Sequence, residues 1–109
     1  MAESVCTTYG ASHRMYLQGA AYVADSTGKL LTNQFPGHSG YFKCKCGDRF
    51  IAEGAPESGA VIGNYVTEGG IIAAESKQGV AAVKVNTSMI RNTTARTLSG
   101  FTFYNSNPN

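Results

Sequence analysis

The chain has 109 residues, a net charge of +2, 42% hydrophobic residues and only 15% charged residues. This length corresponds to a single domain over 1–109, and so little charge beside so much hydrophobic content excludes an intrinsically disordered chain. Apart from Lys43, Lys45 and Arg49, the basic residues are scattered, so a nucleic-acid partner is not expected.

Short β-type runs follow one another along the chain, separated by turn signals at intervals of about 8–12 residues. The predicted strands span 14–24, 29–34, 40–46, 49–54, 60–66, 71–75, 80–90 and 96–104. The sequence therefore predicts an all-β fold, a single compact antiparallel β-sandwich or small barrel built from hairpins. The polar ends, 1–12 and 104–109, are expected to be extended arms.

The turns of the predicted hairpins are individually readable, at 25–28, 47–48, 67–70 and 76–79. Gly28 closes the turn that begins at Asp25, because glycine tolerates a positive φ. Gly47 and Asp48 follow the run YFKCKC, and glycine at the first of two central positions favours a type II′ turn.

Alternation along the predicted strands assigns side chains to faces, because successive residues of a strand point to opposite sides. Phe42, Cys44 and Cys46 share one face of the strand at 40–46. Together with residues of the other strands they form the predicted core, which adds Leu17, Tyr22, Leu31, Phe50, Ile62, Tyr65, Ile72, Val83, Val85, Phe101 and Phe103.

The chain contains five residues of the types that bind zinc, and the stretch HSGYFKCKCGDRF holds three of them. The five candidate ligands are Cys6, His13, His38, Cys44 and Cys46. The segment CKCG resembles the knuckle of zinc ribbons, although one residue instead of two separates its cysteines and the second cysteine pair of a ribbon is missing. Zinc binding competes with two alternatives: thiols buried in an ordinary core, or a disulfide from Cys6 to Cys44 or Cys46.

No catalytic residue is predicted, and we expect no enzymatic activity. The two histidines are the only side chains suited to general base catalysis near neutral pH. His13 follows Ser12, but neighbouring residues on a strand face opposite ways, and no motif supplies a third residue to a Cys44–His38 pair.

The composition favours a non-enzymatic structural subunit that self-assembles into a homo-oligomer or larger protein assembly, such as a shell, tube, fibre or virion component. Its predicted strands carry few of the charged residues that disfavour pairing of an edge strand with another sheet. The predicted interface residues are Cys6, Tyr9 and Tyr104. The alternative is a small zinc-stabilised β-module that binds a protein or nucleic-acid partner.

Two expectations concern the location of the chain. No apolar run approaches the roughly 18 residues that a membrane span requires. The first ten residues lack the basic and apolar regions of a secretory signal. We therefore expect cytoplasmic synthesis without a signal peptide, and an assembled product of this kind can belong to a released particle.

Overall fold

A computed structural model describes residues 13–35, 39–77 and 80–105 of the chain, except for the side chains of 76, 77 and 80. The strands are β1 (His13–Ala24), β2 (Ser39–Lys43), β3 (Arg49–Ala52), β4 (Gly63–Val66), β5 (Ile71–Lys77), β6 (Val80–Val85), β7 (Arg91–Thr93) and β8 (Phe101–Tyr104). Short 3₁₀ turns span Pro56–Ser58, Glu68–Gly70 and Thr87–Met89. The all-β prediction is confirmed. Within the described ranges, no helix has the length and apolar character needed to cross a membrane.

The strands form one sheet that does not close, in the order β5-β6-β1-β2-β3-β4-β7, with β8 paired to β1. Antiparallel pairs join β1 to β2, β2 to β3, β3 to β4, β4 to β7 and β5 to β6, as hairpin-rich sequences predict. Parallel pairing of β1 with β6 and with β8 was not predicted. β2 occupies one edge of β1. On the other edge, β8 pairs with the first half of β1 and β6 pairs with the second half.

Six predicted strands are shorter than expected or absent. The run 40–46 ends at 43, 49–54 ends at 52 and 60–66 begins only at 63. The run 29–34 forms a turn, tied to β1 by an isolated bridge between Ala24 and Leu30. The run 80–90 ends at Val85, because the Asn86 side chain accepts a hydrogen bond from the Ser88 amide and starts a 3₁₀ turn. The run 96–104 pairs only over 101–104.

A β-bulge divides β1 into two halves with opposite faces. The register with β2 passes from Leu17↔Phe42 to Gly19↔Tyr41, which leaves Gln18 as the extra residue. Gly19 has φ +147°, a conformation that side chains of L-residues rarely adopt. One extra residue reverses the alternation of the strand, so odd-numbered residues face one side before the bulge and the other side after it.

Two apolar clusters result, one on each side of the sheet. Cluster 1 contains Ala21, Val23, Phe35, Ile51, Val66, Ile71, Ala81, Val83 and Val85. Cluster 2 contains Met15, Phe42, Cys44, Phe50, Ala52 and Ile62, with Cys46, Phe101 and Phe103 packed against it. Most predicted core residues lie in or against these clusters. Tyr22 and Ile72 do not, since they are 43% and 54% exposed.

Candidate metal centre

The loop between β2 and β3 brings its two cysteines to the end of cluster 2. The Cys44 amide donates to the Asp48 carbonyl at 2.8 Å, and the Gly47 amide donates to the Cys44 carbonyl at 2.9 Å. With Gly47 at φ +102°, these bonds define a three-residue loop, a type I turn followed by a glycine bulge. The predicted two-residue type II′ turn is therefore wrong, because Asp48 already belongs to the paired strand ends.

The register of β1 against β2 brings His13 to this loop. Tyr16 pairs with Lys43 and Leu17 with Phe42. Continued past the end of β2, the same antiparallel alignment sets His13 across from Cys46. The His13 amide also donates to the Gly100 carbonyl at 2.8 Å, which fixes the start of β1 beside β8.

The three side chains converge on one point. The Cys46 Sγ lies 3.5 Å from the His13 Nδ1. The ligand atoms of His13, Cys44 and Cys46 all lie within 4.8 Å of one another, so the group could hold a metal ion. Zinc bonds of about 2.3 Å to sulfur and 2.0–2.1 Å to nitrogen, in a tetrahedron, separate sulfur from nitrogen by about 3.6 Å. The observed sulfur–nitrogen distance of 3.5 Å fits a tetrahedral ion as well as a hydrogen bond between the two side chains.

Because the site is largely buried, the charges of its ligands and of any bound ion must nearly balance. His13 is 2% exposed and Cys44 is 1% exposed, whereas Cys46 is half-buried. The His13 ring stacks on Phe101 with its centroid 5.2 Å away. A charge in such surroundings must be compensated. Two thiolates and a neutral imidazole balance a divalent cation, and sulfur with imidazole nitrogen suits zinc among such ions.

Asp48 completes the surroundings of His13. Its Oδ2 lies 3.6 Å from the His13 Nε2, the ring nitrogen that does not face Cys46. A carboxylate on this side favours the tautomer that carries its proton on Nε2, which leaves the Nδ1 lone pair for a metal. Sequence reasoning missed Asp48 as part of the site. Its position as the residue closing the CKCG loop was the available signal.

The predicted site residues have different outcomes. His13, Cys44 and Cys46 come together, while Cys6 and His38 lie outside the described residues. Of the predicted interface residues, Tyr104 is 39% exposed and stacks on Tyr16, with ring centroids 5.0 Å apart. Cys6 and Tyr9 fall within 1–12, which the structure does not describe; 106–109 of the other predicted arm are likewise outside it.

Arg49, directly after Asp48, is held by an acidic residue. Its backbone amide and Nε donate to Glu68 Oε1 at 2.8 Å each, and its Nη2 donates to Oε2 at 2.7 Å. Hydrogen bonding to this carboxylate raises the pKa of the Arg49 guanidinium above its ordinary value. Of the small basic cluster in the sequence, Arg49 is thus neutralised locally.

The arrangement allows two chemistries. Cys46, His13 and Asp48 follow the order of a thiol nucleophile, its base and the carboxylate that orients the base. A nucleophile does not account for the second thiol at the same point. A metal ion does, because every atom in the group is then a ligand.

Comparison of the chain with known protein families, with curated proteins and with solved structures finds no match. The ligand set, its spacing and its burial are therefore the observations that bear on function.

Proposed function

We propose that the protein is a small β-module stabilised by a Zn²⁺ ion bound to His13 Nδ1 and to the thiolates of Cys44 and Cys46. The observation that carries the proposal is the convergence of one ligand atom from each of these residues within 4.8 Å, at a buried end of cluster 2. The Nδ1 atom is assigned because it is the ring nitrogen that faces the Cys46 Sγ. The ion would cross-link the first strand to the β2–β3 loop, two parts of the chain that are far apart in sequence.

Such an ion would contribute directly to folding. The three ligands come together only in the folded sheet, so the free energy of metal binding adds to the free energy of folding. A fourth ligand completes a tetrahedral structural site. The candidates for the fourth ligand are water and the two remaining ligands predicted from the sequence, Cys6 and His38. Single Cys6→Ala and His38→Ala variants distinguish them.

Metal content and cobalt substitution test the proposal. Protein purified without chelator should carry about one equivalent of zinc, since a structural site is normally filled. Co²⁺ in its place should give the absorption bands of cobalt–thiolate bonds in a tetrahedral field. Cys46→Ser should weaken these bands and lower the zinc content, whereas Lys45→Ala, a change in the same loop, should leave both unchanged.

Three results would contradict the proposed metal site or the role of Cys46 in it. Zinc content below about half an equivalent after reconstitution, or identical cobalt spectra for Cys46→Ser and the parent, contradicts the metal site. Alkylation by iodoacetamide separates the nucleophile from the ligand. Added zinc should protect Cys46 from alkylation if the thiol is a ligand, and an unchanged rate of alkylation contradicts that role.

A second candidate function, self-assembly with further copies of the chain, is favoured by a different surface. Among the strands that the structure describes, β5 ends the order, so one of its edges has no described partner strand. Ile72 on β5 is 54% exposed. Tyr22 and Leu30, which are 43% and 52% exposed, line a groove of about 260 Å³ together with residues 73–75 of β5. Exposed apolar side chains next to an edge strand favour pairing with another strand.

Light scattering after size-exclusion chromatography tests self-assembly. We expect a dimer or larger species, and Ile72→Lys should shift it to the monomer. Val61→Lys is the matched control, because Val61 is an apolar residue that is 39% exposed but does not lie on β5. A monomer at high micromolar concentration contradicts assembly, and it leaves the zinc proposal untouched.

A further inference from the structure

A second cavity, which Phe101 helps to line, lies where β4 pairs with β7. Its volume is about 520 Å³, and its walls come from β4, the turn Thr87–Met89, β7 and the segment that leads into β8. Small-molecule sites in proteins measure about 300–1,000 Å³. The cavity is therefore large enough for a ligand of one or two rings.

Two aromatic rings form rigid parts of the wall. Tyr65 stacks on Phe50 with ring centroids 5.5 Å apart and planes inclined by 4°. Phe101 stacks on His13 and also contacts Phe50, with a centroid distance of 5.3 Å. Because both rings are fixed from the core side, little conformational entropy is lost when a flat ligand packs against them. Met89 and Leu98 add further apolar surface.

The charge in the cavity comes from Arg91, which pairs directly with Tyr65 across β4 and β7. Its Nη1 donates to the Ser88 carbonyl at 3.3 Å, which orients the guanidinium. Among the described residues no carboxylate forms an ion pair with Arg91, since the ion pairs found there are His13–Asp48 and Arg49–Glu68. Arg91 thus brings an uncompensated positive charge to an aromatic wall.

We infer that this cavity binds a small aromatic carboxylate, whose flat body packs on Tyr65 and Phe101 and whose carboxylate pairs with the Arg91 guanidinium. A planar guanidinium donates two parallel hydrogen bonds to a carboxylate, which gives both orientation and affinity. The hydroxyl groups of Thr67 and Ser99 also line the cavity and can bind a polar substituent. This site does not depend on the metal proposed at His13, although the two share Phe101.

Titration of the full-length protein by ¹⁵N NMR, with three probes, tests the inference. Indole-3-acetate carries both the ring and the carboxylate, indole-3-acetamide keeps the ring without the charge, and acetate keeps the charge without the ring. We expect saturable shifts of the Thr67, Ser99 and Phe101 amides with indole-3-acetate, and binding at least about tenfold weaker for each of the other two probes.

Two variants locate the charge. Arg91→Gln should reduce the affinity for indole-3-acetate about tenfold, to that of the amide. Arg96→Gln removes the same charge from an exposed residue outside the cavity lining and should leave the affinity unchanged. Equal binding of indole-3-acetate and its amide, equal effects of the two variants, or shifts confined to residues elsewhere would each overturn the inference.

Discussion

The Asp48 Oδ2 lies 3.6 Å from the His13 Nε2, while the Cys46 Sγ lies 3.5 Å from the Nδ1 of the same ring. The imidazole is therefore held between a carboxylate and a thiol that come from one loop. Carboxylates in this position fix the ring orientation of metal-binding histidines and increase their basicity. The relationship makes Asp48 a positioning residue for the proposed metal site.

Replacing Asp48 tests this role. Asp48→Asn should lower the affinity for Co²⁺ or Zn²⁺ about tenfold, because partners of metal-binding histidines contribute about 10–100-fold. The cobalt spectrum at saturation should stay the same, since no ligand is lost. Competition with a chromophoric chelator measures the affinity, and Glu75→Gln, which removes one negative charge from exposed β5, is the control. Equal affinities of the two variants would contradict the role.

Metal affinity should depend steeply on pH. Thiols bind zinc as thiolates, so each ligating cysteine releases a proton, and each such proton increases the affinity up to about tenfold per pH unit below the thiol pKa. Two thiols predict up to about 100-fold per unit in the parent and about tenfold in Cys46→Ser. Calorimetry in buffers of different ionisation enthalpy counts the protons released. Proton release that is the same in both proteins argues against Cys46 as a ligand.

The sequence indicated the ligand types but not their arrangement. Thiol and imidazole chemistry made His13, Cys44 and Cys46 candidates from composition alone. That His13 faces Cys46 depends on the register of β1 against β2, and the bulge at Gln18 sets that register. Without the bulge, the pairing Gly19↔Tyr41 would extend to place His13 across from Gly47. Alternating patterns do not locate a bulge, because it is a property of the paired strands.

Gly19→Ala tests the importance of the bulge. A Cβ at φ +147° is strained, and strain of this kind costs about 1–3 kcal/mol. The variant should be less stable by that amount in urea unfolding, and its metal affinity should fall because the register of His13 is disturbed. Gly69→Ala, at a glycine with open space around its Cα and no positive φ, should change stability little. Comparable losses in both variants would exclude a special role for Gly19.

The Arg49–Glu68 pair should stabilise the fold modestly. Glu68 accepts three hydrogen bonds from Arg49, and the two side chains are 24% and 31% exposed. Charged hydrogen bonds contribute more than neutral ones, but solvent screening reduces the gain, so Glu68→Gln should cost about 1 kcal/mol. The control is Glu75→Gln, because no ion pair is found for Glu75 among the described residues. It should lower the free energy of unfolding by less than half as much as Glu68→Gln does. Chemical denaturation measures both.

Asp25 predicts a dependence of stability on acid pH. The Thr27 hydroxyl donates to its carboxylate at 2.6 Å, and the Thr27 and Lys29 amides donate at 2.9 and 3.0 Å. These bonds, the hydroxyl first, lower the pKa of Asp25 below its ordinary value of 3.8. Since the folded pKa is the lower one, the stabilisation is present above pH 3.8 and is lost as the pH falls through the folded pKa.

NMR titration of the Asp25 carboxyl carbon measures this pKa. Thr27→Val should raise it toward the ordinary value, because the strongest donor is removed. Thr94→Val, an exposed threonine elsewhere, is the control and should leave it unchanged. An Asp25 pKa that does not respond to Thr27→Val contradicts the assigned cause.

Exposure was the least predictable property of single residues. Tyr22 and Ile72 have large side chains that are common in β-strands, and the sequence predicts both in the core, yet the structure exposes both. Without a bulge, alternation from Met15 would place Tyr22 on the side of cluster 1. Because the bulge adds one residue to β1, Tyr22 faces the side of cluster 2. Ile72 lies at the irregularity between Ile71 and Ala73 in the β5–β6 register. For Tyr22 one extra residue in a paired strand reversed the outcome. Ile72 directly follows the buried Ile71, so alternation along β5 turns its side chain to the opposite face.

The shared edge of β1 also has a consequence for how the protein folds. β1 precedes every other described strand, but its parallel partners, β6 and β8, come late in the chain. During synthesis, one edge of the longest strand stays unpaired until nearly all of the sheet has left the ribosome. Pairings between distant segments also slow folding. Because an unpaired strand edge can pair with other chains, we expect refolding to become more prone to aggregation as the protein concentration rises.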